Sequence, residues 1–278
     1  MQSLNRTVRV TARSALIGVV TLIFLAPFYI MLRNSLMDSQ GITSPHWTWW
    51  PSTLHWENFT SLFSDPTLHM AEGLRNSLIV ALISAPLSTL FASAAGYAFA
   101  RIPLPGRGFL LALIMATMMI PGSATFVPTF IVVGSLGGVN TLWGIIAPGL
   151  FNPFAVLLFR NFYLRFPKEL EEAGRLDGLG WLGLYRRVAL PSSVAMLASL
   201  GALAFIDSWN AFLWPLVVGQ DPGSWTAQIA LSNFLTAQTI NLPGLFAGAV
   251  VTIAPLVVMF LVAQRYIVEG IATSGLKG

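Results

Sequence analysis

Phe166-Pro167-Lys168-Glu169-Leu170-Glu171-Glu172-Ala173-Gly174-Arg175-Leu176-Asp177-Gly178 is a charged run in a chain that is only 9% charged. Pro167 suits the first turn of a helix, where a missing N–H loses nothing. Glu169, Glu171 and Glu172 complement the positive end of that helix. Gly178 can end it by taking a left-handed backbone. A second short helical run follows, over about 181–188, and Leu190-Pro191 closes it. Taken alone, the segment is a helix–turn–helix elbow with a polar and an apolar side. That pattern suits an unpartnered surface hairpin as well as a docking element.

The rest of the chain places the elbow. Its 278 residues are 55% hydrophobic, with a mean hydropathy of +0.72. A soluble domain carries about a quarter charged residues, so most of this surface must face something other than water. A helix crossing the hydrocarbon needs about 20 apolar residues. Charge-free intervals of that length fall at about 14–32, 78–99, 109–133, 142–159, 194–218 and 245–267. The long interval between Arg107 and Arg160 is divided by Gly134, Gly137, Gly138 and Asn140. The expectation is an all-α membrane protein of six transmembrane helices, forming one transmembrane domain over 1–278. The first stretch is long for a leader peptide and no small-residue cleavage pattern follows it, so it is expected to be a span.

Arginine and lysine are retained on the cytoplasmic side during insertion. With the N-terminus inside, only Arg33 and Arg75 of the 15 basic residues fall outside. Both termini and the 166–191 elbow are therefore expected in the cytoplasm, and the 34–74 loop outside. That loop holds Trp47, Trp49, Trp50 and Trp56, which suit a headgroup anchor or contact with an external partner. His46, His55 and His69 share it without metal-ligand spacing. The formal charge of +4 reflects this insertion bias and not nucleic-acid binding. The absence of cysteine excludes disulfides and cysteine-ligated metals. Within the second span Ser84, Ser88, Ala92, Gly96 and Ala100 form a stripe of small residues. Such a stripe lets helix backbones approach closely in lipid, and Gly244 and Gly248 open the last span in the same way.

The elbow resembles the signature of binding-protein-dependent ABC permeases: Glu-Ala-Ala, three residues, Gly, nine residues, then Ile-x-Leu-Pro. Here it stands as Glu172-Ala173-Gly174, Gly178 and Val188-Ala189-Leu190-Pro191, with every interval kept and two conservative departures, Gly174 and Val188. Ser208-Trp209-Asn210-Ala211-Phe212-Leu213-Trp214-Pro215 resembles a motif of carbohydrate permeases. Asn76-Ser77-Leu78, Tyr97-Ala98-Phe99-Ala100-Arg101, Ala247-Gly248-Ala249, Gln264-Arg265-Tyr266 and the Gly275-Leu276-Lys277-Gly278 end resemble the second permease of maltose-type systems. The likeness covers nearly the whole chain.

This resemblance implies the importer type I permease fold in the bacterial cytoplasmic membrane. It implies that the elbow couples to an ATPase subunit through Glu172, Ala173, Gly174 and Gly178, with Leu176 and Asp177 as further contacts. Glu172 would pair with a basic group of the ATPase, the small residues would permit close approach, and Lys277 would reach the ATPase dimer through the tail. Implied partners are a second permease subunit, two ATPase subunits and an extracellular solute-binding protein. ATP and Mg would bind to the ATPases, leaving this chain without cofactor or catalysis. The absence of a G-x-x-x-x-G-K-[ST] loop agrees. The implied cargo is a di- or oligosaccharide. Glycerol-3-phosphate, glycerophosphodiesters and amino sugars stay open by the same resemblance.

Asp207 is the one acidic residue inside an expected span, and an ionisable group at membrane depth is a functional candidate. With Ser208, Trp209 and Asn210 beside it, the segment could hold a sugar or could knit a packing network. Asn152-Pro153 is a second polar interruption in the path, and Pro121, Pro128, Pro148 and Pro215 are candidate kinks. An ion-coupled secondary transporter would need a relay of carboxylates or internal repeats, and Asp207 alone is a thin relay.

Overall fold

The computed structural model describes the backbone of residues 2–235 and 240–275 and the side chains of 10–235 and 240–266. Among them the secondary structure is helical apart from an isolated bridge between Leu235 and Ile240. In chain order the helices are α1 (Gln2–Ser35), α2 (Ser39–Thr43), α3 (Glu57–Ser64), α4 (Met70–Arg101), α5 (Arg107–Met118), α6 (Gly122–Ser135) and α7 (Leu142–Ile146). They continue as α8 (Pro153–Leu164), α9 (Lys168–Leu176), α10 (Trp181–Leu184), α11 (Leu190–Ser192), α12 (Val194–Asn210), α13 (Leu213–Val218), α14 (Ala227–Ser232) and α15 (Leu242–Gly275). The chain divides into two compact units, Met1–Ala71 with Ala230–Ala254, and Glu72–Ile229 with Pro255–Gly278.

Three helices are each long and apolar enough to cross a membrane: Val10–Ser35, Met70–Arg101 and Leu242–Tyr266. They match the first, second and sixth expected spans, each longer than its charge-free interval. Each of the three middle intervals is interrupted, and none is one continuous helix. The 109–133 interval is broken between α5 and α6 by a turn of 100°. Pro121 sits there in extended backbone, and the residue before a proline disfavours the helical region. The 142–159 interval bends by 43° between Leu142–Leu150 and Pro153–Leu164, and its helix continues past residue 159. The 194–218 interval splits at Ala211 and Phe212 into α12 and α13. Pro215 accounts for the split, since its ring displaces the carbonyl four residues back, on Ala211. Pro128 lies inside α6 without breaking it.

In the first unit, α1 exposes its side chains from Val10 to Phe28. Its last turn is held by the following loop. Arg33 is 3% exposed, donates to the Thr48 carbonyl and hydroxyl at 2.6 and 2.9 Å, and lies 4.2 Å from the Trp47 ring centre. Asn58 donates to the carbonyls of Ser35 and Met37 at 3.0 and 2.9 Å. One of the four loop tryptophans is thus a cation–π partner of the span end, while Trp49 remains 75% exposed. At the start of α15, the absent side chains of Gly244 and Gly248 seat Phe234, which a Cβ on Gly244 would meet at 2.6 Å.

In the second unit α4 is the central element. All five small residues of its stripe are buried. At Gly96 the approach is closest: an added Cβ would lie 2.5 Å from the Phe159 Cβ and 2.8 Å from the Arg160 nitrogen. The first turns of α4 hold the connection ahead of α14. Asn76 donates to the Gly223 and Trp225 carbonyls, both at 2.9 Å, and the Ser77 hydroxyl accepts from the Ala227 N–H at 2.9 Å. Asn140, at φ +59°, accepts from the N–H groups of Gln220 and Asp221 at 2.7 and 2.9 Å. Its tolerance of the left-handed region is what lets one side chain cap two backbone donors.

Candidate functional site

The elbow is α9, α10 and α11 with a π turn at Tyr185–Ala189. α9 ends as its sequence predicts. Gly178 has φ +79°, its N–H donates to the Arg175 carbonyl at 3.0 Å, and the Leu179 N–H donates to the Gly174 carbonyl at 2.9 Å. These two bonds are the Schellman closure of a helix with glycine just past its end. The π turn precedes Pro191, and the Leu190 N–H reaches back to the Tyr185 carbonyl. The elbow's second half then turns by 77° into α12, so it lies across the direction of the span it feeds.

Burial around α9 separates two roles. Glu171 and Gly174 are buried, whereas Glu172, Ala173, Leu176, Asp177 and Gly178 are exposed. Leu176 lies four residues after Glu172 and three after Ala173, so it shares a face of the helix with each of them. Leu176 is 90% exposed, an unusual state for a leucine beside a packed core. The opposite side belongs to the chain's own interior. Leu184 and Ala189 from the elbow join Ala92, Tyr97, Ala100, Ala155, Val156, Phe159 and Tyr163 in one cluster, and Arg175 stacks 4.1 Å over Trp181.

Gly174 therefore stands apart from the other expected contact residues. It faces inward, and a Cβ there would meet the Leu184 Cδ2 at 2.6 Å and the Leu179 Cδ1 at 3.4 Å. Both are tips of flexible side chains. Gly174→Ala should consequently be nearly neutral, because about 1 kcal/mol of helix propensity offsets a small displacement of Leu184. Gly174→Val should lower the unfolding temperature in detergent clearly, since its methyls have nowhere to go. Equal behaviour of the two variants would remove this account of the glycine.

Sequence reasoning missed the group beneath the elbow. Arg101, in the last turn of α4, donates through Nε to the Tyr163 carbonyl at 2.9 Å and through Nη2 to the Phe166 carbonyl. Glu171 Oε1 lies 3.2 Å from the same Nε, and both side chains are about one-tenth exposed. With the Nε–H directed at Tyr163, this is a charge contact and not an aligned hydrogen bond; Oε1 has no hydrogen bond among the described residues. About two turns back along α4, Ser93 bonds the Tyr163 hydroxyl at 2.8 Å; that hydroxyl also bonds Ser193 at 2.9 Å, and Tyr185 donates to Ser93 at 3.2 Å. α4, α8, the π turn and the start of α12 meet in that network. The available signal was the spacing of Glu171 and Gly174, which puts both on one side of α9.

The second set of expected residues does not converge on one surface. Asp207 is exposed and makes no hydrogen bond or ion pair among the described residues. Asn210 is exposed and accepts from Gln228 at 3.4 Å. Trp209 points the other way: it is 1% exposed and stacks on Phe205 with ring centres 6.0 Å apart. Ser208 is half-buried. The Asn152 side chain caps α8, accepting from the Ala155 N–H at 3.0 Å, which explains why a polar residue stands at that break. Lys277 lies outside the described residues. No cluster of His, Asp and Glu able to hold a metal occurs among the described residues.

A multi-span membrane protein with a helical elbow packed against its apolar helices is the class these features define. Residues 88–273 match the family of binding-protein-dependent transport system inner membrane components, and the chain belongs to that family. It is 38% identical over 228 residues to the arabinooligosaccharides transport system permease protein AraQ of Halalkalibacterium halodurans, covering 82% of this chain and 81% of that one. It is 30% identical over 262 residues to the trehalose/maltose transport system permease protein MalG of Thermococcus litoralis, covering 93% and 94%. Among solved structures, a chain from a bacterial ABC transporter involved in the import of the acidic polysaccharide alginate shares the fold. Its TM-score is 0.82 at 21% identity, over 94% of this chain and 96% of that one. Family and composition place the chain in the inner membrane.

Proposed function

We propose that this chain is the second permease subunit of a carbohydrate importer of the ATP-binding-cassette class. It forms the translocation path with another permease and receives its cargo from an extracellular solute-binding protein. Energy enters from two separate ATPase subunits, which hold the ATP and Mg. The observation that carries the reading is the exposed face of α9, where Glu172, Ala173 and the 90% exposed Leu176 stand on a helix anchored from behind. Leu176 fills an apolar groove of the ATPase, Glu172 meets a basic group at its rim, and Gly178 sets the turn. Both termini and the elbow are cytoplasmic by the bias of basic residues. The tail around Lys277 reaches the same partner.

A di- or oligosaccharide is the cargo, supported by the relatives named for arabinooligosaccharides and for trehalose and maltose. Asp207 and Asn210 lie on one face of α12 with Leu203, which is 57% exposed. A carboxylate facing lipid is expensive, so this face turns toward the second permease and the path between them. Trp209 supports the helix from inside and leaves ligand contact to its neighbours.

The test is ATP-driven uptake of radiolabelled maltotriose and arabinotriose into liposomes containing the full complex and its binding protein. Glu172→Ala combined with Gly178→Asp should reduce uptake to background, since the pair removes the rim charge and strains a position at φ +79°. Unaltered uptake by that double variant would defeat the coupling assignment.

A further inference from the structure

Resting on the reading of α9 as the docking element, we infer that the buried Arg101–Glu171 contact is the tie that fixes the elbow's first helix, α9, directly to α4. α9 packs elsewhere on the elbow's own second half, through Gly174 against Leu184 and Arg175 against Trp181. Those contacts hold the elbow together without fixing its first helix to a span. Arg101 supplies that link. It occupies the last turn of α4, and its guanidinium reaches three points at once. Two are the carbonyls of Tyr163 and Phe166, at and just beyond the end of α8. The third is the Glu171 carboxylate, 3.2 Å away.

The chemistry suits a transmission joint. A charge pair out of water resists separation, because pulling it apart leaves two uncompensated charges in a low-dielectric setting. It also fixes a rotational setting of α9, which an apolar contact would leave free to slide. With Glu171 turned inward, Glu172 and Leu176 are held outward, so one carboxylate anchors the helix while the next presents to the partner. Glu171 and Arg101 are positioning residues. They touch no cargo and act through the helices they join.

The chain has no cysteine, so spin labels can be placed at will. Lys168 on α9 and Phe91 on α4 are both exposed, and Lys168→Cys with Phe91→Cys reports the distance between the two helices. The full complex is measured by pulsed electron resonance with and without ATP plus vanadate. Without further substitution the distance should stay fixed across the two states. With Glu171→Gln it should shift and broaden on ATP addition, while the ATPase subunits still co-purify. A distance that stays fixed in Glu171→Gln, or that already changes in the parent protein, overturns the tie. Should Glu171→Gln yield no assembled complex, Arg101→Met with Glu171→Met restores an uncharged interior and reads the same distance. Retention of the ATPase subunits by the Glu172→Ala, Gly178→Asp protein would instead defeat the docking reading and leave the tie to be judged by its distances.

Discussion

Gly96→Val should yield no stable permease. A Cβ at this position falls 2.5 Å from the Phe159 Cβ, 2.8 Å from the Arg160 nitrogen and 3.0 Å from the Phe159 carbonyl carbon. None of these atoms is the tip of a flexible side chain, so α4 and α8 must separate. Overpacking a core costs about 1–3 kcal/mol and sometimes more, and here the separation also breaks polar contacts on either side. Ser93 and Arg101 flank Gly96 on α4, and both bond Tyr163 at 2.8–2.9 Å. In lipid the helices are held by packing and such bonds, without a hydrophobic drive to bring them back. The measurement is the yield of monodisperse protein in detergent and its unfolding temperature, with Gly18→Val as control. Gly18 has nothing within 4 Å and should tolerate the change. Wild-type yield and unfolding temperature for Gly96→Val would refute the account.

The stripe that makes Gly96 sensitive was legible in the sequence because its logic is local: small residues four apart share one helical face. The place of a long apolar helix in α1, α4 and α15 was legible too, since charge marks where a helix leaves hydrocarbon, although each helix runs beyond its charge-free interval. Continuity was not. Hydropathy sums apolar character over a window and is blind to direction, so the 100° turn at Pro121 reads the same as a straight helix. Nor does proline alone decide, because Pro128 sits within α6 and Pro121 ends one segment and begins the next.

The elbow shows the same division. Its helix, turn and closing glycine follow from Pro167, the leading glutamates and Gly178, and all are present. The orientation of α9 does not follow, because Glu171 and Glu172 are adjacent carboxylates and nothing in the run itself tells which one turns inward. Arg101, brought by another helix, selects Glu171 for the interior and thereby exposes Glu172. Gly174 then faces Leu184 in place of a partner protein. The same limit applies to Trp209: its neighbours suggest a ligand surface, yet Phe205 one turn earlier draws the ring into the core.

Leu176→Asp should be the most damaging change that leaves the permease itself intact. Leu176 is 90% exposed, so little of the chain's own packing depends on it. Fully burying a leucine is worth about 1.5–3 kcal/mol, a factor of roughly 10–150 in affinity. Placing a carboxylate in the apolar groove proposed for this leucine would add a desolvation penalty on top. Glu172 offers less, because an ion pair open to solvent contributes about 0.2–1 kcal/mol. ATP-driven uptake should therefore fall to background for Leu176→Asp and only partially for Glu172→Ala. An aspartate in the last turn also opposes the helix dipole by about 0.3–1 kcal/mol, and fraying of α9 could mimic lost docking. Leu176→Gln separates the two effects, since it keeps helix propensity and carries no charge. It should lose most of the uptake while its unfolding temperature matches the parent. If Glu172→Ala proves the more damaging change, the docking energy lies in the rim charge and the exposed leucine is incidental.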